Sequence, residues 1–293
     1  NTWSPSGVPT AYEDVIIVNT HTVSINANAV CNSLSIGQGS VTVLRFTTNN
    51  DRTLTVSKDI TINNRAIFDV ATNSNADHQV ELTNGNLINN GTLNFATDNN
   101  SLCNIIFSKS GSQNISGSGT TTNFNLMTLD MGTSINNMLN VTSTNFTAPT
   151  NFLTINTGTF KLSSASAVNI TPFSGTATIP QKGGLWVNSN QATVNIGATL
   201  TMFGNVTVSS GTLNVGNAAN EDLLSNGGFL TVSNGLLNIA GKYYATGINN
   251  LSKFTLSGGS IIVPSVGSTN TTIAPFQIAG AGSQFSMTGG LLI

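Results

Sequence analysis

The chain has 293 residues, of which only 7% are charged against about 25% in ordinary soluble domains, and its formal charge of −2 leaves no electrostatic footprint for nucleic acid or anionic lipid. Hydrophobic residues make up 39% and arrive in short bursts, which excludes both a disordered polyelectrolyte and a helical bilayer span of about 18 apolar residues or more. The composition predicts a folded chain kept in solution by Asn, Ser and Thr, with no cofactor, no nucleic-acid partner and no direct membrane insertion.

The chain opens on Trp3-Ser4-Pro5-Ser6-Gly7-Val8-Pro9, followed by the strand-like runs Asp14-Val15-Ile16-Ile17, His21-Thr22-Val23-Ser24-Ile25 and Ser33-Leu34-Ser35-Ile36. A Trp, a Gly-Val-Pro turn, an acidic residue before a Val/Ile strand, and then Thr-Val form a composite motif. On Trp3, Gly7, Val8, Pro9, Asp14, Val15, Ile17, Thr22 and Val23 it resembles the start of the eight-glycine domain family of large secreted Bacteroidota β-helix proteins. The glycine usual before His-Thr-Val is replaced here by Asn19-Thr20, and the likeness covers about the first tenth of the chain. It implies capping turns over 1–36, with β-helix repeats over 37–293. It also implies export by the type IX secretion system and a cell-surface, extracellular location. The implied partners are the secretion and outer-membrane attachment machinery, reached through a C-terminal domain, and surface glycans. Adhesins, coat proteins and carbohydrate-active enzymes all share such folds, so the resemblance leaves activity open.

Downstream, short alternating runs such as Leu54-Thr55-Val56 and Ile60-Thr61-Ile62 are separated by Gly, Asn and Ser, and no segment carries a helical apolar stripe. Cys31 and Cys103 lie in two such runs. A disulfide or a nucleophilic thiol is conceivable, but two buried inert thiols are expected. Charge concentrates early: Arg45, Asp51, Arg52, Lys58, Asp59, Arg65, Asp69, Asp77, His78 and Glu81 fall between positions 45 and 81. If successive turns stacked them, Asp51, Asp59, Asp69, Asp77 and Glu81 would supply Ca²⁺ ligands beside an Arg or Lys base, the chemistry of a polysaccharide lyase. Their irregular spacing favours solvated loop residues that also block sheet-edge pairing. His21 and His78 show no zinc spacing.

A repeat emerges further along. Val206, Val208, Gly211, Leu213 and Val215 recur 24 residues later as Leu230, Val232, Gly235, Leu237 and Ile239, and again as Phe254, Leu256, Gly259, Ile261 and Val263. The same offsets appear at Leu153, Ile155, Gly158, Phe160 and Leu162, at Phe285, Met287, Gly290 and Leu292, and partly at Val80, Leu82, Gly85 and Leu87. Between 165 and 200 the frame is degenerate. Apolar residues two apart face one side of a strand, so each unit is two short inward-facing strands joined at a glycine corner, with a third strand to bring the chain back. A hairpin meander would not restore residue type at a fixed step. The expected fold is all-β, a right-handed parallel β-helix of about 24 residues per turn, its turns about 4.8 Å apart. Outward Thr207, Thr231 and Thr255, with Ser209, Ser233 and Ser257, should form ladders, continued by Ser286 and Thr288. Residues 285–293 stop one position short of the 254–263 unit, which leads us to expect a longer native chain.

The remaining chemistry is sparse. Positions 131–293 carry six charged side chains: Lys161, Lys182, Glu221, Asp222, Lys242 and Lys253. The adjacent Glu221 and Asp222 read as solubilising loop residues, and Asn-x-Thr strings such as Asn140-Val141-Thr142 as chance in an Asn-rich chain. Trp186, Tyr243 and Tyr244 are glycan-contact candidates, weighed against loop packing. The Thr/Ser rows admit an ice- or crystal-binding surface, though Asn and Gly interrupt them. No catalytic residue is assigned. The function expected is a structural or adhesive surface stalk or coat, with a glycan-active enzyme or carbohydrate-binding module as the alternative.

Overall fold

The computed structural model describes residues 7–18, 20–39, 41–47, 49–245, 251–264 and 274–293, and every regular element among them is a β-strand. The chain divides into two compact units, residues 1–128 with 142–148 and residues 129–141 with 149–293. Both are parallel β-solenoids with about 24 residues per turn, consistent with a right-handed β-helix.

In the first unit each turn contributes up to three strands, and strands stack in parallel on three faces. One face holds Ala29–Cys31, Thr53–Val56, Ala76–Leu82 and Ser101–Phe107, with Leu54, Val80 and Ile105 in one inward column. The second holds Asp14–Ile17, Ser33–Ile36, Ile60–Ile62, Leu87–Asn89 and Ser112–Ser116. The third runs from Thr22–Ile25 through Thr42–Phe46, Ala66–Val70, Thr92–Asn94 and Thr121–Asn123 to Phe146–Thr147. The described part of residues 1–36 forms turns of this kind, since Asp14–Ile17 pairs with Ser33–Ile36 and the latter with Ile60–Ile62. Ala96–Asp98 folds back antiparallel on the start of Ser101–Phe107, an excursion from the parallel pattern.

Stacking like over like builds the core. Phe46, Phe68, Phe95, Phe124 and Phe146 form a continuous aromatic column with neighbouring centroids 5.0–6.2 Å apart. Burying each ring contributes on the order of 2–3 kcal/mol and each well-oriented pair about 1 more. The Phe residues recur at irregular intervals, so the column does not show as a period in the sequence.

In the second unit the 24-residue frame appears directly. Phe160, Leu185, Val206, Leu230, Phe254 and Phe285 follow in register on its first face, at steps of 25, 21, 24, 24 and 31 residues. Val194, Leu213, Leu237, Ile261 and Leu292 do so on its second. The third, Ala177–Ile179, Leu200–Met202, Leu223–Ser225, Tyr243–Ala245 and Phe276–Ile278, supplies the return strand. The copy at 153–162 is out of phase: Phe160 lies over Leu185 and Val206, so the second strand of that copy occupies the first-strand position. The degenerate stretch holds Val168–Phe173, Ala177–Ile179 and one long strand, Gly183–Ile196, which turns its corner at a register shift between Val187 and Thr193 instead of at a glycine. There the Ser189 hydroxyl donates to the Ser164 carbonyl at 2.5 Å and accepts from the Gln191 N–H at 3.2 Å, replacing the missing turn residue.

Corner glycines serve two needs. Gly211 adopts φ +81°, a left-handed conformation that penalises any Cβ, and Gly259 repeats it at +72°. Gly235, at the same offset, has no positive φ. What excludes a side chain there is contact, because a Cβ would sit 2.5 Å from Val208 Cγ1.

Candidate functional site

Several of the charged residues of 45–81 bond within the stack, while Lys58, Arg65 and Asp77 are exposed. Arg45 and Asp69 are register neighbours on the third face of the first unit, and the guanidinium binds the carboxylate twice, Nε to Oδ1 at 2.6 Å and Nη2 to Oδ2 at 2.5 Å. Two charge-assisted bonds hold the Arg45 pKa above its ordinary value. Asp59 Oδ1 accepts the backbone and side-chain N–H groups of Asn86, at 2.7 and 3.1 Å. Asp51 Oδ1 accepts the Asp77 N–H at 3.0 Å. Glu81 points outward from Ala76–Leu82, between Thr55 and Ile106. Asp77 and Glu81 share the strand Ala76–Leu82 and Asp51 meets Asp77, but Asp59 and Asp69 stand beside the second and third faces, so the five carboxylates do not converge as Ca²⁺ ligands. Among the described residues no three His, Cys, Asp or Glu groups are placed to share a metal ion.

His78 is not a solvated loop residue. It is fully buried, stacked on Phe46 at 4.5 Å and 11°, with Nδ1 accepting the Arg52 N–H at 3.2 Å. That bond places the ring hydrogen on Nε2, which is buried without a partner. Burial pushes its pKa below 6.5, against opposing effects from Asp51 and Asp77. The neighbouring inward position in register is Cys103.

Both cysteines are free and buried. Cys31 stacks with Val56, and burial raises its thiol pKa to about 11; burial raises that of Cys103 as well. Thiols held protonated in this way are poor nucleophiles. Cys31 borders an apolar cavity of about 220 Å³ in the first turns, lined also by Val8, Val15, Ile17, Val23 and Ile25.

The three aromatic candidates do not form one platform. Tyr243 is a core residue, 0% exposed, stacked on Phe276 at 5.1 Å and packed on Phe254 at 5.5 Å; its position between Leu223 and Phe276 points inward, which removes it as a glycan contact. Tyr244 is half-buried on the outside of that third face, while Trp186 lies outside the first. Trp186 is held by a relay. Its indole N–H donates to Ser209 Oγ at 2.7 Å, Ser209 donates to Asn188 Oδ1 at 2.6 Å, and Asn188 Nδ2 donates to Ser163 Oγ at 3.1 Å. The Lys161 ammonium stands 3.8 Å from the ring centroid.

Outward ladders complete the picture. Thr207, Thr231, Thr255 and Ser286 are in register as expected. A second ladder, of asparagines, lies beyond the Thr/Ser rows expected from the sequence: Asn195 donates to Asn169, Asn214 to Asn195 and Asn238 to Asn214, at 2.7–2.8 Å. Asn123 donates to Asn94 in the first unit at 2.9 Å. The signal was the repeated Asn at one offset, Asn214 and Asn238. Glu221 and Asp222 are structural as well: Glu221 accepts the Asn217 and Ala218 N–H groups, and Asp222 accepts the Lys242 N–H at 2.7 Å. Trp3 and Asn19 of the opening motif lie outside the described residues. No family model, curated protein or solved structure matches the chain.

Proposed function

We propose that this chain is an extracellular scaffold, built of β-solenoid units, of a secreted cell-surface adhesin or coat protein. The observation that carries the reading is where the outward polar groups go. Arg45 with Asp69, Asn94 with Asn123, and the row from Asn169 to Asn238 all bond to their counterparts one turn away. Side chains used in this way stiffen a stack and satisfy one another rather than a reacting substrate. Low charge and a Thr/Ser/Asn exterior suit a surface that faces the medium. The opening motif supports export by the type IX secretion system, with attachment to the cell through machinery outside this sequence.

The test uses the purified full chain immobilised on beads. Attachment to polysaccharide-coated and bare surfaces is measured under flow, while the same preparation is incubated with uronate polymers and followed for unsaturated products by ultraviolet absorbance. Retained fold and attachment, with no product formed, is the expected result. Product that scales with protein concentration and disappears on substituting Asp51 or Asp77 would overturn the scaffold reading in favour of a lyase.

A further inference from the structure

We propose that the exterior of the second unit's first face binds an acidic polysaccharide, with Trp186 and Phe229 as aromatic contacts and Lys161 and Lys253 as cationic ones. This rests on the adhesive part of the function proposed above and names its ligand class. Two outward rows run side by side along that face. One carries Lys161, Trp186, Thr207, Thr231 and Thr255, the other Gly184, Asn205, Phe229 and Lys253.

Phe229 is 44% exposed, because Leu230 and Val232 take the inward positions of its strand and leave it with outward parity. A sheet exterior built for solubility alone would continue the Thr, Ser and Asn of its neighbours. Two turns along the stack and two residues across the strand set the Cα atoms of Trp186 and Phe229 about 12 Å apart on one sheet. Asn205, Thr207 and Thr231 occupy the ground between them and offer both donors and acceptors. The indole is already oriented by the Ser209–Asn188–Ser163 relay, so it loses little freedom on binding.

The ligand class follows from this chemistry. Sugar rings present an apolar C–H face to an aromatic plane and hydroxyls to amides and hydroxyls at its sides. The exterior of a stacked sheet suits an extended polymer better than a small molecule, which needs a concave site. Neither named row contains Asp or Glu, while Lys161 stands over Trp186 and exposed Lys253 follows Phe229 one turn on. A polymer laid across both rings therefore meets positive charge only, and carboxylate- or sulfate-bearing sugars gain where neutral ones do not.

The experiment is calorimetric titration of the full chain with polygalacturonate oligomers, heparin fragments and neutral cello-oligomers. Saturable binding of an acidic probe is expected, weakened about tenfold by Trp186→Ala and by Phe229→Ala, a loss typical of a stacked aromatic contact. Lys253→Gln and high salt should each weaken it severalfold, and Tyr244→Ala, on another face, should leave it unchanged. Circular dichroism confirms that each variant folds. Binding of neither acidic probe, equal affinity for the neutral oligomer, or wild-type affinity in both aromatic variants would overturn the inference. Appearance of cleaved product during the titration would instead sink the scaffold reading and leave the binding face standing.

Discussion

Replacing Val208 by aspartate places a carboxylate at a position 0% exposed, between Val187 and Val232 in the inward column, whereas Thr207→Asp one residue earlier points it outward between Trp186 and Thr231. The inward exchange loses the valine's burial, about 1.5–3 kcal/mol, and leaves an unpaired buried charge that costs about 3 kcal/mol more. A loss near 5 kcal/mol is comparable to the whole stability of many domains, about 5–15 kcal/mol, while the outward exchange should stay within about 0.5 kcal/mol. Because each turn contacts only its neighbours, the damage should be local and should appear first as protease cleavage near the substituted turn. The pH dependence has a definite sign. Burial raises the folded pKa of the new aspartate above its unfolded value near 4, so the stability of the protonated form is present below about pH 4 and lost as pH rises through the folded pKa. Urea melts followed by circular dichroism at pH 4 and pH 7 should show the gap between Val208→Asp and wild type widening with pH. A wild-type midpoint for Val208→Asp at pH 7, or an equal loss in Thr207→Asp, would refute the inward–outward assignment.

His78 has a folded pKa below 6.5, so its contribution is present above about pH 6.5 and lost as pH falls through the folded value; thermal melts of the wild type should drop between pH 7 and pH 5. In His78→Phe that slope should flatten, at a cost of about 1 kcal/mol at pH 7 for the Arg52 N–H left without its acceptor. Arg45→Ala strands Asp69, whose side chain is 10% exposed, and should cost about 1–2 kcal/mol in urea titrations, a figure reduced because the guanidinium is 37% exposed. Asp69→Asn instead puts an amide beside Asn94 and should cost under about 1 kcal/mol. Gly211→Ala meets both a positive φ and the Ser189 carbonyl 2.1 Å from its new Cβ, whereas Gly39→Ala at φ +84° meets nothing within 4 Å. Differential scanning calorimetry should find a loss of about 2 kcal/mol or more for the first and about 1 kcal/mol for the second; equal losses would mean that φ alone decides.

The candidate sites were less legible than the repeat. Asp51, Asp59, Asp69, Asp77 and Glu81 lie close in sequence, yet a turn of about 24 residues sends Asp59 and Asp69 to other faces than Asp77 and Glu81, and Asp51, Asp59 and Asp69 each bond a different partner. Tyr243 and Tyr244 are adjacent, and strand parity sends one ring into the core and the other outside. The outward position of Phe229 is not legible in the sequence, because an aromatic beside Leu230 reads as part of an apolar burst until the strand's phase is known.

Composition and the offsets of 206–263 were enough to specify strands, inward faces, corner glycines and a turn near 24 residues, because alternation and repetition are local properties of the chain. Tertiary structure decided what those local properties leave free: the phase of the 153–162 copy, the aromatic column from Phe46 to Phe146, and the burial of His78 and Tyr243. The physical reason is that an inserted loop lengthens a turn at little cost in closure entropy, so sequence spacing drifts while the spatial register between turns is held by hydrogen bonds and side-chain stacking.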